Sequence, residues 1–133
     1  MLTSILLCLT VALASGETPP RGSIAVCMDI ARASAAQQVP PALALVIGWH
    51  ETRWRDGLIS SAGACGPMQT MPLHGACTAE TGVAVLRHYS LRRWHSGRPL
   101  SGAVCDYACG PARGYDDCIS SRERLGHLME IQR

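Results

Sequence analysis

The segment Pro40–Trp54, PPALALVIGWHETRW, constrains the fold more than any other part of the chain. Paired prolines suit a helix start, because the first turn leaves its N–H groups without intrahelical partners anyway. The run Ala42–Ile47 is almost continuously apolar, so this helix must be buried on most of its sides. Its last turn brings Trp49, His50, Glu51 and Trp54, and Gly57 is expected to stop it. A carboxyl at the C-terminal end of an apolar helix lies among unbonded carbonyls, where the helix dipole disfavours negative charge. Neighbouring tryptophans would keep water away. Both effects favour the protonated carboxyl that a general acid needs, against the competing choice of an ion pair with Arg53 or Arg55. The stretch also begins like a zinc-protease pattern, in which His-Glu is followed three residues on by a second His. Trp54 stands in that place, so the second metal ligand is missing and no metal is expected.

The remaining bulk properties bound the setting. A chain of 133 residues makes one domain with a single modest core. Residues 1–16, MLTSILLCLTVALASG, carry no charged side chain and read as a leader, residues 1–14, cut after Ala14. The run is too short to cross a bilayer, so no stable membrane anchor is expected once it is removed. A short Pro/Gly linker, 15–22, then precedes a domain over 23–133, exported to the periplasm or beyond. Twelve arginines and no lysine face ten acids, for a net charge of +2. That excess is small and scattered, which argues against a nucleic-acid partner. It is compatible with an anionic polymer such as a cell wall.

With Cys8 assigned to the leader, six cysteines remain: Cys27, Cys65, Cys77, Cys105, Cys109 and Cys118. An even set in a small exported domain suggests three disulfides, with the pairing left open. If Cys105 and Cys109 share a helix they lie one turn apart, which makes them poor partners for each other. Zinc is the competing reading, through Cys105/Cys109 and His74/Cys77, but no C-x-x-C pair occurs and the inferred compartment is oxidising. Helical spacing appears over residues 23–38, 79–94 and in a tail over 118–132, with a short segment at 103–110. Residues 57–75, rich in Gly, Ser and Pro, suit a loop or a small hairpin. The expected class is α+β, mainly α, with an irregular insert directly after the helix that ends in glutamate.

From Glu51 the chain reads ETRWRDGLISSAGACGPMQTMP. This resembles, without a gap, the signature of the lytic transglycosylase catalytic domain: Glu-Ser, an aromatic, Ser, Gly-Ala, Gly-Leu-Met-Gln and Met-Pro. Glu51, Trp54, Ser60, Gly63-Ala64, Gly66, Met68-Gln69 and Met71-Pro72 fall on it. A second family motif, Tyr-Asn-Ala-Gly-Pro, is echoed by Tyr107-Ala108-Cys109-Gly110-Pro111. Departures are Thr52 for the usual Ser, Pro67 for Leu, Ala108 for Asn and Cys109 for Ala, and the stretch between the motifs is shorter than usual.

The resemblance implies a lysozyme-like, disulfide-stapled fold and a peptidoglycan glycan strand as substrate. It implies one catalytic carboxyl, Glu51, that protonates the glycosidic oxygen after N-acetylmuramic acid. Glu51 then deprotonates the sugar's own 6-hydroxyl, giving a 1,6-anhydro product. Because the nucleophile belongs to the substrate, neither a second carboxylate nor a cofactor is needed. Ser60, Gln69, Met71 and Tyr107 would line the substrate groove, and a secretion, conjugation or phage machine is the implied setting. Two rival functions share much of this reading: a hydrolytic lysozyme, which requires a second carboxylate, and a non-catalytic wall-binding module, which would be indifferent to loss of Glu51.

Overall fold

The computed structural model describes residues 1–110 together with Gly126 and His127. Five helices make up most of it: α1 Leu2–Ser15, α2 Ser23–Ala36, α3 Pro41–Thr52, α4 Ala79–His95 and α5 Ala103–Cys109. Helix α3 is the centre. Pro41 opens it, and every residue from Leu43 to Trp49 is buried, as the apolar run requires. Helix α2 packs on it with Ile30 against Gly48, and α1 and α5 touch it as well. Gly48 makes the α2 approach possible, since a Cβ there would lie 2.7 Å from the Ile30 Cδ1 atom.

Helix α4 begins at Thr78, whose hydroxyl accepts from the Thr81 N–H at 3.3 Å and so caps the first turn. Ala79, Gly82, Val83, Leu86 and Ser90 form its buried stripe at helical spacing, packed toward α2 and α5. Arg93 then grips Asp106 of α5 with two hydrogen bonds, Nε to Oδ2 at 2.8 Å and a terminal nitrogen to Oδ1 at 3.0 Å. Both side chains are largely buried, so this two-pronged pair fixes the α4–α5 angle.

The end of α3 differs from expectation. The helix stops at Thr52, five residues before Gly57, and Arg53 and Trp54 adopt left-handed backbone angles, φ 56° and 54°. Each such non-glycine residue costs about 1–2 kcal/mol. The reversal carries the Trp54 ring back under α3, where it is fully buried, edge-on to Trp49 at 4.8 Å. Its indole Nε1 donates to the Leu45 carbonyl oxygen at 3.0 Å. Burying an indole contributes roughly 4–6 kcal/mol at 25 cal/mol per Å², enough to offset that strain.

The insert 57–75 contains two isolated bridges, Ile59 with Cys65 and Cys65 with Thr70, rather than a regular hairpin. A 3₁₀ turn, Pro72–His74, closes it. The mainly helical architecture with an irregular insert after the glutamate helix is the expected one.

The cysteines correct the sequence reading. Cys8, assigned there to the leader, is bonded to Cys27, and α1 buries Cys8, Val11 and Ala12 against the core. Cys65 is bonded to Cys77. Cys109 is disulfide-bonded as well, and Cys118 lies outside the described residues. Cys105, expected in one of three bridges among six cysteines, is a buried thiol on α5. While Cys8 is present it takes Cys27, so the seven cysteines cannot all pair. The tail helix expected over 118–132 lies outside the described residues except for Gly126 and His127.

Candidate active site

Glu51 is the penultimate residue of α3 and is half-buried. Next to it, the buried Thr52 hydroxyl donates to the Pro67 carbonyl oxygen at 2.8 Å. The Thr52 hydroxyl oxygen in turn accepts from the Arg55 N–H at 3.2 Å. One hydroxyl therefore ties the glutamate-bearing helix end to the loop carrying the downstream motif.

That loop is held from the other helices too. Met68 is buried, and Gly82 of α4 leaves the space it fills: a Cβ on Gly82 would lie 2.6 Å from the Met68 Cβ and 2.7 Å from its sulfur. Tyr107 of α5 donates its phenol to the Met68 carbonyl oxygen at 2.7 Å. Gly66, at φ +78°, turns beneath the Cys77 backbone, whose carbonyl would be 2.8 Å from any Cβ there. Gln69 stands at φ 53°, and its side-chain nitrogen donates to Leu58 O and Gly66 O, both at 3.0 Å. The side chain thus braces the loop.

Gln69, Met71 and Tyr107 are brought together around one cavity of about 110 Å³, with Thr70, His74, Val85 and Tyr89 completing the wall. Ser60 is not among its lining residues. Its hydroxyl accepts from the Ala64 N–H at 3.0 Å and closes the turn that Gly63 completes. Glu51 is also not a lining residue of this cavity, and the Thr52–Pro67 bond is what relates the two. Asp56, the nearest other acid in sequence, is exposed and lines a separate cavity with Asp29, Pro67 and Glu80.

His50 points elsewhere. Its Nε2 lies 3.2 Å from His127 Nδ1, and His127 donates through Nε2 to the Val11 carbonyl oxygen at 2.8 Å. Arg53 bonds to Glu17 at 2.6 Å and lies over the Trp49 ring, 5.4 Å from its centre. It is therefore committed away from the motif loop. Among the described residues, no three or more His, Cys, Asp or Glu side chains gather where they could hold a metal ion.

Sequence reasoning missed His74, Val85 and Tyr89. Val85 and Tyr89 lie four apart on α4, and nothing in local spacing says that this side of the helix faces a cavity.

Residues 28–93 match the family model of the Transglycosylase SLT domain. No curated protein and no solved structure matches the chain. The matched stretch runs from α2 to the last turn of α4 and takes in Glu51, Ser60, Gln69 and Met71, while Tyr107 lies beyond it. With a buried helix that carries Glu51 in its last turn and the motif loop clamped against α3, α4 and α5, residues 28–93 of this chain are an SLT-type lytic transglycosylase domain, which supports a peptidoglycan-cleaving function.

Proposed function

We propose that the protein cleaves the bond between N-acetylmuramic acid and N-acetylglucosamine by lytic transglycosylation, with Glu51 as its single general acid and base. The observation that carries this is the Thr52–Pro67 hydrogen bond, which sets the carboxyl-bearing helix end beside the loop of Gln69 and Met71. Glu51 would donate a proton to the leaving glycosidic oxygen, then take one from the muramic acid 6-hydroxyl as that oxygen attacks the anomeric carbon. Atoms balance without water, and one carboxyl serves both steps. Gln69 and Tyr107 would offer polar contacts to the sugar, and Met71, partly exposed at the cavity edge, an apolar one. Water-dependent glycosidases need a second carboxylate across the bond.

Export completes the reading, with residues 1–14 as a leader. On α1 the outward side chains Leu2, Leu6, Leu9 and Leu13 are 73%, 57%, 43% and 81% exposed. A charge-free helix with such an apolar outer stripe is unfavourable in water, which supports its removal. No helix of the described residues is long and apolar enough to cross a membrane.

The test is mass spectrometry of peptidoglycan digested by the protein and by Glu51→Gln. Muropeptides ending in 1,6-anhydromuramic acid, lost in the variant, support the proposal. Products with reducing ends would make the protein a lysozyme, and products insensitive to the variant would remove Glu51 from the chemistry.

A further inference from the structure

Two of the three tryptophans, Trp49 and Trp54, are buried, whereas Trp94 in the last turn of α4 is 69% exposed. Leu91, one turn earlier, is 39% exposed. Arg87, Arg92 and Arg98 surround them and are exposed as well. We propose that this end of α4 docks reversibly on an anionic phospholipid surface. Trp94 and Leu91 enter the headgroup layer, and the arginines meet lipid phosphates. The inference stands apart from the glycan-cleaving reading and adds where such a domain would work.

Helical spacing lines the patch up. Arg87, Leu91, Trp94 and His95 fall at i, i+4, i+7 and i+8 on one side of α4, outside its buried stripe, and Arg98 follows just past the helix end. The charge there is one-sided. Over the whole chain twelve arginines face ten acids, yet Arg87, Arg92, Arg93 and Arg98 all fall within residues 87–98, which hold no Asp or Glu. Arg93 is matched by Asp106 of α5. Glu80, the one acid of α4, lies at the other end of the helix, roughly 18 Å from Arg92 at 1.5 Å per residue. Arg87 donates through Nε to the Gln37 carbonyl oxygen at 3.1 Å, and that end of α2 carries no acid after Asp29.

The residue types select the partner. An indole is favoured where an apolar layer meets water, because its ring is apolar and its N–H is polar. Arginine binds phosphate oxygens through paired N–H groups, and each one near an anionic membrane strengthens binding about fivefold. Leu91 and Trp94 project from the helix and are not part of the cavity wall around Gln69 and Tyr107, a shape suited to a layer that yields to an inserted ring. Val85 and Tyr89, which do line that cavity, sit about 120° and 160° around α4 from Leu91 at 3.6 residues per turn, so docking leaves the cavity open. One indole, one leucine and a few charges give weak, reversible binding, unlike a spanning helix.

The probes are vesicles of phosphatidylcholine alone, vesicles of equal parts phosphatidylcholine and phosphatidylglycerol, and polyglutamate as a soluble anion. The full chain is sedimented with vesicles at millimolar lipid, and its tryptophan emission is read against lipids brominated on their acyl chains. The expected result is binding to the anionic vesicles only, lost at high salt, with quenching of the emission. Trp94→Ala should weaken binding about tenfold and remove most of the quenching. Arg92→Ala combined with Arg98→Ala should weaken it about twenty-fivefold, at about fivefold each. These positions are exposed, so the variants leave the core intact. Equal binding to both kinds of vesicle would assign it to the exposed leucines of α1 and overturn the proposal. Anionic binding unchanged in both variants, or no binding at all, would overturn it as well. Binding to polyglutamate without binding to vesicles would overturn it in favour of an acidic protein. Digestion of peptidoglycan is scored separately without vesicles, so failure of either reading leaves the other standing.

Discussion

Tyr107 and Met68 are 39 residues apart in sequence, and the phenol of one donates to the carbonyl oxygen of the other at 2.7 Å. This bond ties the second motif to the first. Met68 lies between Pro67, held by Thr52 at the end of the glutamate helix, and Gln69, which lines the cavity. Tyr107 lines that same cavity, so its ring borders the site while its hydroxyl holds the loop in place.

Tyr107→Phe should therefore act through both stability and rate. It leaves a buried carbonyl without its donor, at a cost of about 1–3 kcal/mol. Melting should fall by several degrees, and release of muropeptides by roughly ten- to a hundredfold as Gln69 and Met71 lose their positions. Calorimetry with a release assay checks this; an unchanged melting temperature would mean that the bond does not hold the loop.

Glu51→Gln should lower glycan release by about 10²–10⁴-fold, the range supplied by a positioned general acid and base. Circular dichroism should show the same helix content as the unaltered chain. A rate within a factor of two of the original would place the chemistry elsewhere.

Gly82→Ala puts a methyl group 2.6 Å from the Met68 Cβ, which cannot move without shifting the motif loop. Overpacking of this kind costs about 1–3 kcal/mol. The double mutant with Met68→Ala, which keeps the Cβ but removes the sulfur 2.7 Å from the added methyl, is expected to regain part of the loss, measured as thermal midpoints in a two-by-two cycle; independent, additive losses would mean that the thioether and the methyl do not compete for space.

Replacing both Cys65 and Cys77 by Ser opens a loop with a sequence separation of 12. Loss of about 3 kcal/mol is expected from the freedom returned to the unfolded chain. Denaturant titration with and without reductant reads it, and reductant should then shift the unaltered protein further than the variant.

Removal of a leader after Ala14 would take Cys8 from Cys27. The exported protein should then begin at Ser15, and Cys27 should react with an alkylating agent before any reduction. Intact mass measured on the exported protein decides this; a chain beginning at Met1 with Cys27 blocked would keep α1 as a permanent element of the fold.

Much of the site could be read directly from the chain. Pro41, the apolar run Leu43–Ile47 and the Glu51 that follows define a buried helix ending in a carboxyl, and the spacing of Gly66, Met68, Gln69 and Met71 carries the family signature. Helix α4 is equally legible, because Ala79, Val83 and Leu86 repeat with the helical period. These features depend on neighbours within a few residues, where backbone geometry makes sequence spacing and spatial position nearly equivalent.

Other features were decided only when distant segments met. Gly57 is a good helix stop by composition, yet α3 ends earlier because burying Trp54 against Trp49 outweighs two strained backbone positions. Cys27 takes Cys8 as its partner, since a disulfide forms between cysteines that the fold brings within about 6 Å, whatever their order in the chain. Ser60 matches the family pattern but closes a turn with Ala64, whereas His74 and Tyr89, outside both motifs, share a cavity wall with Gln69 and Tyr107. Periodicity reports which side of a helix leaves water; what that side meets is set by long-range packing, and only the tertiary structure decides it.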